Sequence, residues 1–125
     1  MKQASRAVLL ALLLVLPAHA APRADYEGIW AQTKAECEDD EGPNSRTLID
    51  MAGKAGPLFD QYENHCRIEK VTGSGGTHEL KLRCFEFWEE FRKKNGESRR
   101  TTARLVQNGA QSLRIDGKTY VRCLR

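Results

Sequence analysis

Three dipeptides, Asn95-Gly96, Asn108-Gly109 and Asp116-Gly117, punctuate the last third of this chain. Asn, Asp and Gly tolerate the positive φ that a two-residue hairpin turn imposes, so such pairs reverse a chain tightly. A fourth turn is glycine-rich, Gly73-Ser74-Gly75-Gly76. Between the turns, side chains alternate. Leu80, Leu82 and Cys84 point one way, and Glu79, Lys81 and Arg83 the other. Ala103 and Leu105 oppose Thr102 and Arg104, and Leu113 and Ile115 oppose Ser112 and Arg114. This period of two belongs to half-buried antiparallel strands.

Turns and alternation together predict strands over roughly 65–72, 77–88, 97–107, 111–115 and 118–124. Residues 85–94 are ambiguous. Phe87 and Phe91 are four apart, as on a helix face. A bulge after Cys84 that lets the strand run on into Asn95-Gly96 is preferred, because a tight hairpin needs a strand on each side. In the first half, Tyr26–Thr33 reads as a strand and the acidic, turn-rich Glu36–Ser45 as a loop. Thr47–Met51 and Leu58–Tyr62 read as short strands around Gly53, Gly56 and Pro57. No internal repeat interrupts the pattern. The expected fold is all-β: seven or eight strands in a single small antiparallel meander, closing into a barrel or a flattened sandwich and so hiding its strand edges.

The N-terminus reads differently. Lys2 and Arg6 precede the unbroken apolar run Ala7–Leu16, Pro17 ends it, and Ala18-His19-Ala20 places small residues where a signal peptidase cuts. The run is too short to be a stable membrane anchor. Residues 1–20 are therefore expected to be a cleaved signal peptide, and residues 21–125 a single β domain. Lys2 and Arg6 are two of the 20 basic residues, so the remainder carries 18 against 17 acidic ones, a balance of +1. That near-neutral balance argues against a nucleic-acid binder, which needs a concentrated positive face.

Export bears on the four cysteines, Cys37, Cys66, Cys84 and Cys123. Their number is even and none forms a C-x-x-C pair, so two structural disulfides are expected rather than a zinc knuckle or a redox site. Three connectivities are possible. Cys37–Cys66 with Cys84–Cys123 is favoured, because each pair joins an earlier element to a later one without crossing the other. The compartment expected is the periplasm, with full secretion as the alternative.

Three resemblances add to this reading. Gly28-Ile29-Trp30 is similar to the Gly-x-Trp that opens the first strand of lipocalin-like (calycin) barrels. The resemblance implies a Trp closing one barrel end beneath a basic residue of the last strand, here Arg122 or Arg125. In a barrel this small, side chains fill the interior. The layout also resembles small uncharacterised proteobacterial periplasmic proteins. Gly28/Trp30, Cys37, Cys66-Arg67-Ile68 and Tyr120-Val121-Arg122-Cys123 carry that likeness, which brings no activity with it. Ser74-Gly75-Gly76 resembles the Ser-Gly loop of periplasmic inhibitors of c-type lysozyme, whose extended motif is not reproduced here.

Few residues suggest chemistry. Glu36, Glu38, Asp39, Asp40 and Glu41 are oxygen ligands ahead of Gly42-Pro43, but lack the spacing of a calcium loop, so a solvated acidic loop is the reading preferred. His65 and His78 flank the glycine-rich turn. With Glu63 or Glu79 they would suit zinc or copper, or with Ser74 a nucleophile, were they on adjacent strands. No Gly-x-Ser-x-Gly or His-Glu-x-x-His supports either idea. Glu86, Glu89 and Glu90 lie among aromatics as glycosidase carboxylates do, yet a domain this small offers no large cleft. No catalytic residue, cofactor or metal is therefore assigned.

Arg92 and Lys93, followed by Lys94, precede a turn, and Arg99, Arg100 and Arg104 follow it. With Phe85, Phe87 and Phe91 they form a candidate binding hairpin, residues 85–104, for an anionic envelope glycan or lipid, or for a periplasmic protein. The plainer alternative is a strand edge charged against aggregation. The function expected is a non-enzymatic exported binding module. Second comes an inhibitor of a lysozyme-like hydrolase using Thr72–His78, and third a small metal-dependent enzyme.

Overall fold

The computed structural model describes residues 25–39, 42 and 46–124. The expected signal peptide, Arg125, and Asp40, Glu41 and Pro43 of the acidic run lie outside the described residues.

Eight strands follow one another as a meander, and the last pairs with the first to close a barrel. They are β1 (Gly28–Ala31), β2 (Thr47–Asp50), β3 (Leu58–Gln61), β4 (Asn64–Ser74), β5 (Thr77–Phe85), β6 (Arg99–Gln107), β7 (Ser112–Ile115) and β8 (Lys118–Leu124). All neighbours are antiparallel. Closure gives every described strand a neighbour on each side, although β4 beyond Ile68 and β6 ahead of Arg104 run past their short partners β3 and β7. A short 3-10 turn, Ala35–Glu38, lies in the segment read as a loop.

Alternation decides what faces inward. Trp30, Ile49, Phe59, Ile68, Leu80, Leu82, Leu105, Leu113 and Ile115 pack into one buried cluster. Leu80, Leu105, Leu113 and Trp30 are fully buried, so side chains fill the interior. Each such residue contributes roughly 1.5–3 kcal/mol by leaving water. Trp30 lies beneath Arg122, whose guanidinium carbon is 4.2 Å from the ring centre. Arg122 also donates to the carbonyls of Ala110 (2.6 Å), Glu27 (2.7 Å) and Asp25, so the buried charge is well satisfied. The Trp-and-basic-residue closure implied by the lipocalin-like resemblance is met by Arg122. Burial pushes the phenols of Tyr26 and Tyr120, which pack against this core, above their ordinary range.

Both disulfides form, but with a pairing other than the favoured one. Cys66 joins Cys84, and Cys37 joins Cys123. Cys66 and Cys84 are register partners across the β4–β5 hairpin, with both sulfurs inside the barrel. Cys37–Cys123 ties the 3-10 turn to β8, and this is possible because closure sets β8 beside β1. Pairing sequence neighbours ignored that closure.

Residues 85–94 also depart from expectation. β5 ends at Phe85, and Trp88–Lys93 form a helix, α1. Lys94 then takes the left-handed conformation at φ 55°, its N–H bonding Phe91 O while Asn95 N–H bonds Glu90 O. This is the Schellman exit from a helix. Asn95-Gly96 thus ends a helix instead of turning a hairpin. Gly96 has φ 83°, and a Cβ there would lie 1.8 Å from a Glu90 carboxylate oxygen, so no other residue fits without rearrangement.

Candidate functional site

The reason for α1 lies on the outer wall. Leu48, Leu58 and Phe85 neighbour the inward residues Ile49, Phe59 and Cys84 in sequence, so they face out. Three apolar groups on one outer face need cover. Phe91 supplies it from α1, buried to 1% exposure against Leu58 and Phe85, with Leu48 and Ala55 at the margin. Phe85 meets Phe91 edge-on at 6.1 Å, and Trp88 stacks on Phe91 at 4.9 Å. Arg67 of β4 lies over the Phe91 ring at 4.5 Å and donates to Ala55 O at 3.2 Å. His65 abuts Trp88 edge-on at 5.1 Å, and its Nδ1 is hydrogen-bonded to Asp60, its register partner on β3.

Trp88 borders two grooves. One, of about 480 Å³, is lined by Lys54, Arg67, Arg92 and Lys94 with the rings of Trp88 and Phe91, and no carboxylate lines it among the described residues. The other, of about 660 Å³, is lined by Tyr62, Phe87 and Trp88 together with Arg46, Asp60, Gln61, Glu63, His65 and Glu86.

The candidate binding residues of the 85–104 segment therefore separate. Phe85 and Phe91 are buried packing groups, of which Phe91 also borders the basic groove, whereas Phe87 is 59% exposed. Arg92 enters the basic groove. Lys93 pairs with Glu89 at 3.0 Å on the helix surface. Arg99 donates to Asn64 Oδ1 at 2.9 Å. Arg100 approaches Glu69 at 3.8 Å, as Arg83 does at 3.7 Å. Arg104 pairs with Glu79 further along β6, so it shares the outer face of Arg100 but not the cap. Lys54, Arg67 and Trp88, absent from the candidate set, complete the basic groove. The available signal was Phe85: an apolar residue just after inward Cys84 must face out and needs a cover.

The histidine constellation does not assemble. His65 pairs with Phe85 at one end of the β4–β5 hairpin and His78 with Gly73 at the other. Among the described residues no group of three or more His, Cys, Asp or Glu is placed to hold a metal ion. The Thr72–His78 tip is largely exposed, but it is laced to β6, with Gly76 O accepting from Gln107 N–H at 2.6 Å. No described helix is long and apolar enough to cross a membrane.

No protein-family model matches the chain, nor does a curated protein or a solved structure.

Proposed function

We propose that this is an exported, non-enzymatic binding protein that holds an anionic group in the basic groove beside α1. One observation carries the reading: four cationic side chains converge on two aromatic rings, with no lining carboxylate among the described residues to neutralise them. Two details support it. Arg67 is fixed in place by Phe91 and by Ala55 O, so little freedom is lost when it grips an oxyanion. Lys94 occupies a left-handed position where Gly or Asn would sit unstrained, which costs on the order of 1 kcal/mol. Strain kept at one position points to a use for the side chain there.

The partner's chemistry is a phosphate or carboxylate on an envelope glycan or lipid. Two disulfides accord with an oxidising compartment, and the leader-like residues 1–20 support export, with the periplasm favoured over full secretion. Because side chains fill the barrel, the ligand is held on the outer wall.

Vesicles with and without anionic phosphatidylglycerol, and a soluble polyuronate, provide the test. Binding to at least one anionic probe is expected, weakening with salt and falling roughly tenfold or more in the Arg92→Gln/Lys94→Gln variant. Lys94→Gly should lose affinity while its thermal midpoint rises. Failure to bind either probe, or a double variant that binds unchanged, overturns the reading.

A further inference from the structure

We infer that the second groove bordering Trp88 is a separate site, which receives an organic cation carrying a quaternary or primary ammonium group. The inference does not depend on the anion reading, since different residues apart from Trp88 line the two grooves.

Exposed aromatics are the first observation. The described residues expose four large hydrophobic side chains, and three of them, Tyr62 (46%), Phe87 (59%) and Trp88 (37%), line this one groove. Single exposed apolar groups are ordinary, but a convergent set marks a contact surface. Charge says what the contact takes. Of the three carboxylates lining the same groove, Asp60 is bonded to His65, and Glu63 and Glu86 are the acidic groups left to face a ligand. Of the basic residues there, Arg46 already has a partner and His65 is bonded to Asp60. Aromatic faces carry negative charge density, and with carboxylates beside them they attract an ammonium group strongly once it is partly desolvated.

Backbone strain is the second, independent observation. Glu63 sits in the β3–β4 turn at φ 49°, where Asn or Gly would be unstrained. Apart from Lys94 and Glu63, the other non-glycine residue at positive φ among those described is Asp116, a residue type that such turns favour. The turn thus holds a carboxylate at the groove against the local preference of the chain. A metal ion suits the groove poorly, because no group of three or more His, Cys, Asp or Glu among the described residues is placed to hold one. The volume, about 660 Å³, admits a small ammonium compound or the side chain of a basic peptide.

The test uses the full chain, with the indole signal of Trp88 followed by NMR. The probes are choline, its uncharged isostere bearing a tert-butyl group, and a neutral hexose. Choline is expected to shift the Trp88 signal saturably, and the isostere to bind at least about threefold more weakly. Glu63→Asn, which tolerates the turn, and Glu86→Gln should each weaken choline binding severalfold. Lys94→Gly should leave it unchanged, which separates this site from the basic groove. The inference is overturned if the isostere matches choline, if the hexose binds and choline does not, or if Glu63→Asn and Glu86→Gln bind choline as the parent chain does.

Discussion

The barrel's lining and the patch beneath α1 are both made of apolar side chains on alternating strands, but they are closed in different ways. Inside, Trp30, Leu80, Leu105 and Leu113 cover one another, because curling the sheet brings every inward face together. Outside, Leu48, Leu58 and Phe85 have no opposing sheet and depend on one helix of six residues. A core that closes on itself needs only a period of two. A patch that needs a lid leaves the lid's free side and flanks for other work, and both candidate grooves lie there. The inner core should then set global stability, and the outer patch should open locally at lower cost.

Four perturbations bear on that contrast. The clasp Cys37–Cys123 spans 86 residues and Cys66–Cys84 spans 18. On loop entropy, replacing the first pair by serine should cost about 4.5 kcal/mol and the second about 3 kcal/mol, as read from urea unfolding. Trp30→Ala should cost about 4 kcal/mol by opening a cavity under Arg122, and it should loosen barrel and cap together. Phe91→Ala should cost less, at most about 3 kcal/mol, because the cap can lift while the barrel stands. Hydrogen exchange separates these cases: after Phe91→Ala the α1 amides lose protection while the β5 and β6 amides keep theirs. Equal deprotection of strands and helix would erase the distinction between the two regions.

The smallest effect is electrostatic. Burial raises the pKa of Tyr26 and Tyr120 in the folded protein. The unfolded chain loses those protons first, so stability is full below about pH 10 and declines as pH rises through the folded values. The inner core should therefore weaken in alkali, by an amount that Tyr26→Phe reduces. An unfolding midpoint flat across that range would contradict the assignment.

Much of the fold was legible because its signals were local. Asp116-Gly117 turns the β7–β8 hairpin with both residues at positive φ, Asn108-Gly109 opens a longer β6–β7 connection with positive φ at Gly109 but not at Asn108, and each expected strand outside residues 85–94 matches an observed one within a few residues. Residues 85–94 were illegible for a physical reason. Asn95-Gly96 supplies positive φ equally well to a hairpin and to a helix exit, and only the need to cover Phe85 decides between them. The cysteine pairing contained an unused signal: Cys66 and Cys84 are each nine residues from Gly75, the centre of a turn already recognised. Register across that turn, shifted by one residue between Ile68 and Lys70, makes them partners, and closure leaves Cys37 to Cys123. The candidate site was half legible. Arg92 was identified from its charge cluster, whereas Lys54 and Arg67 reach the groove only through tertiary folding.

Barrel closure is the claim on which the lining, the clasp and the cap all depend, and non-reducing peptide mapping of the oxidised chain tests it most directly. Closure sets β8 against β1, so the peptide containing Cys37 should be joined to that containing Cys123, and Cys66 to Cys84. Recovery of Cys37 joined to Cys66, or of free thiols at these positions in the native protein, would contradict it.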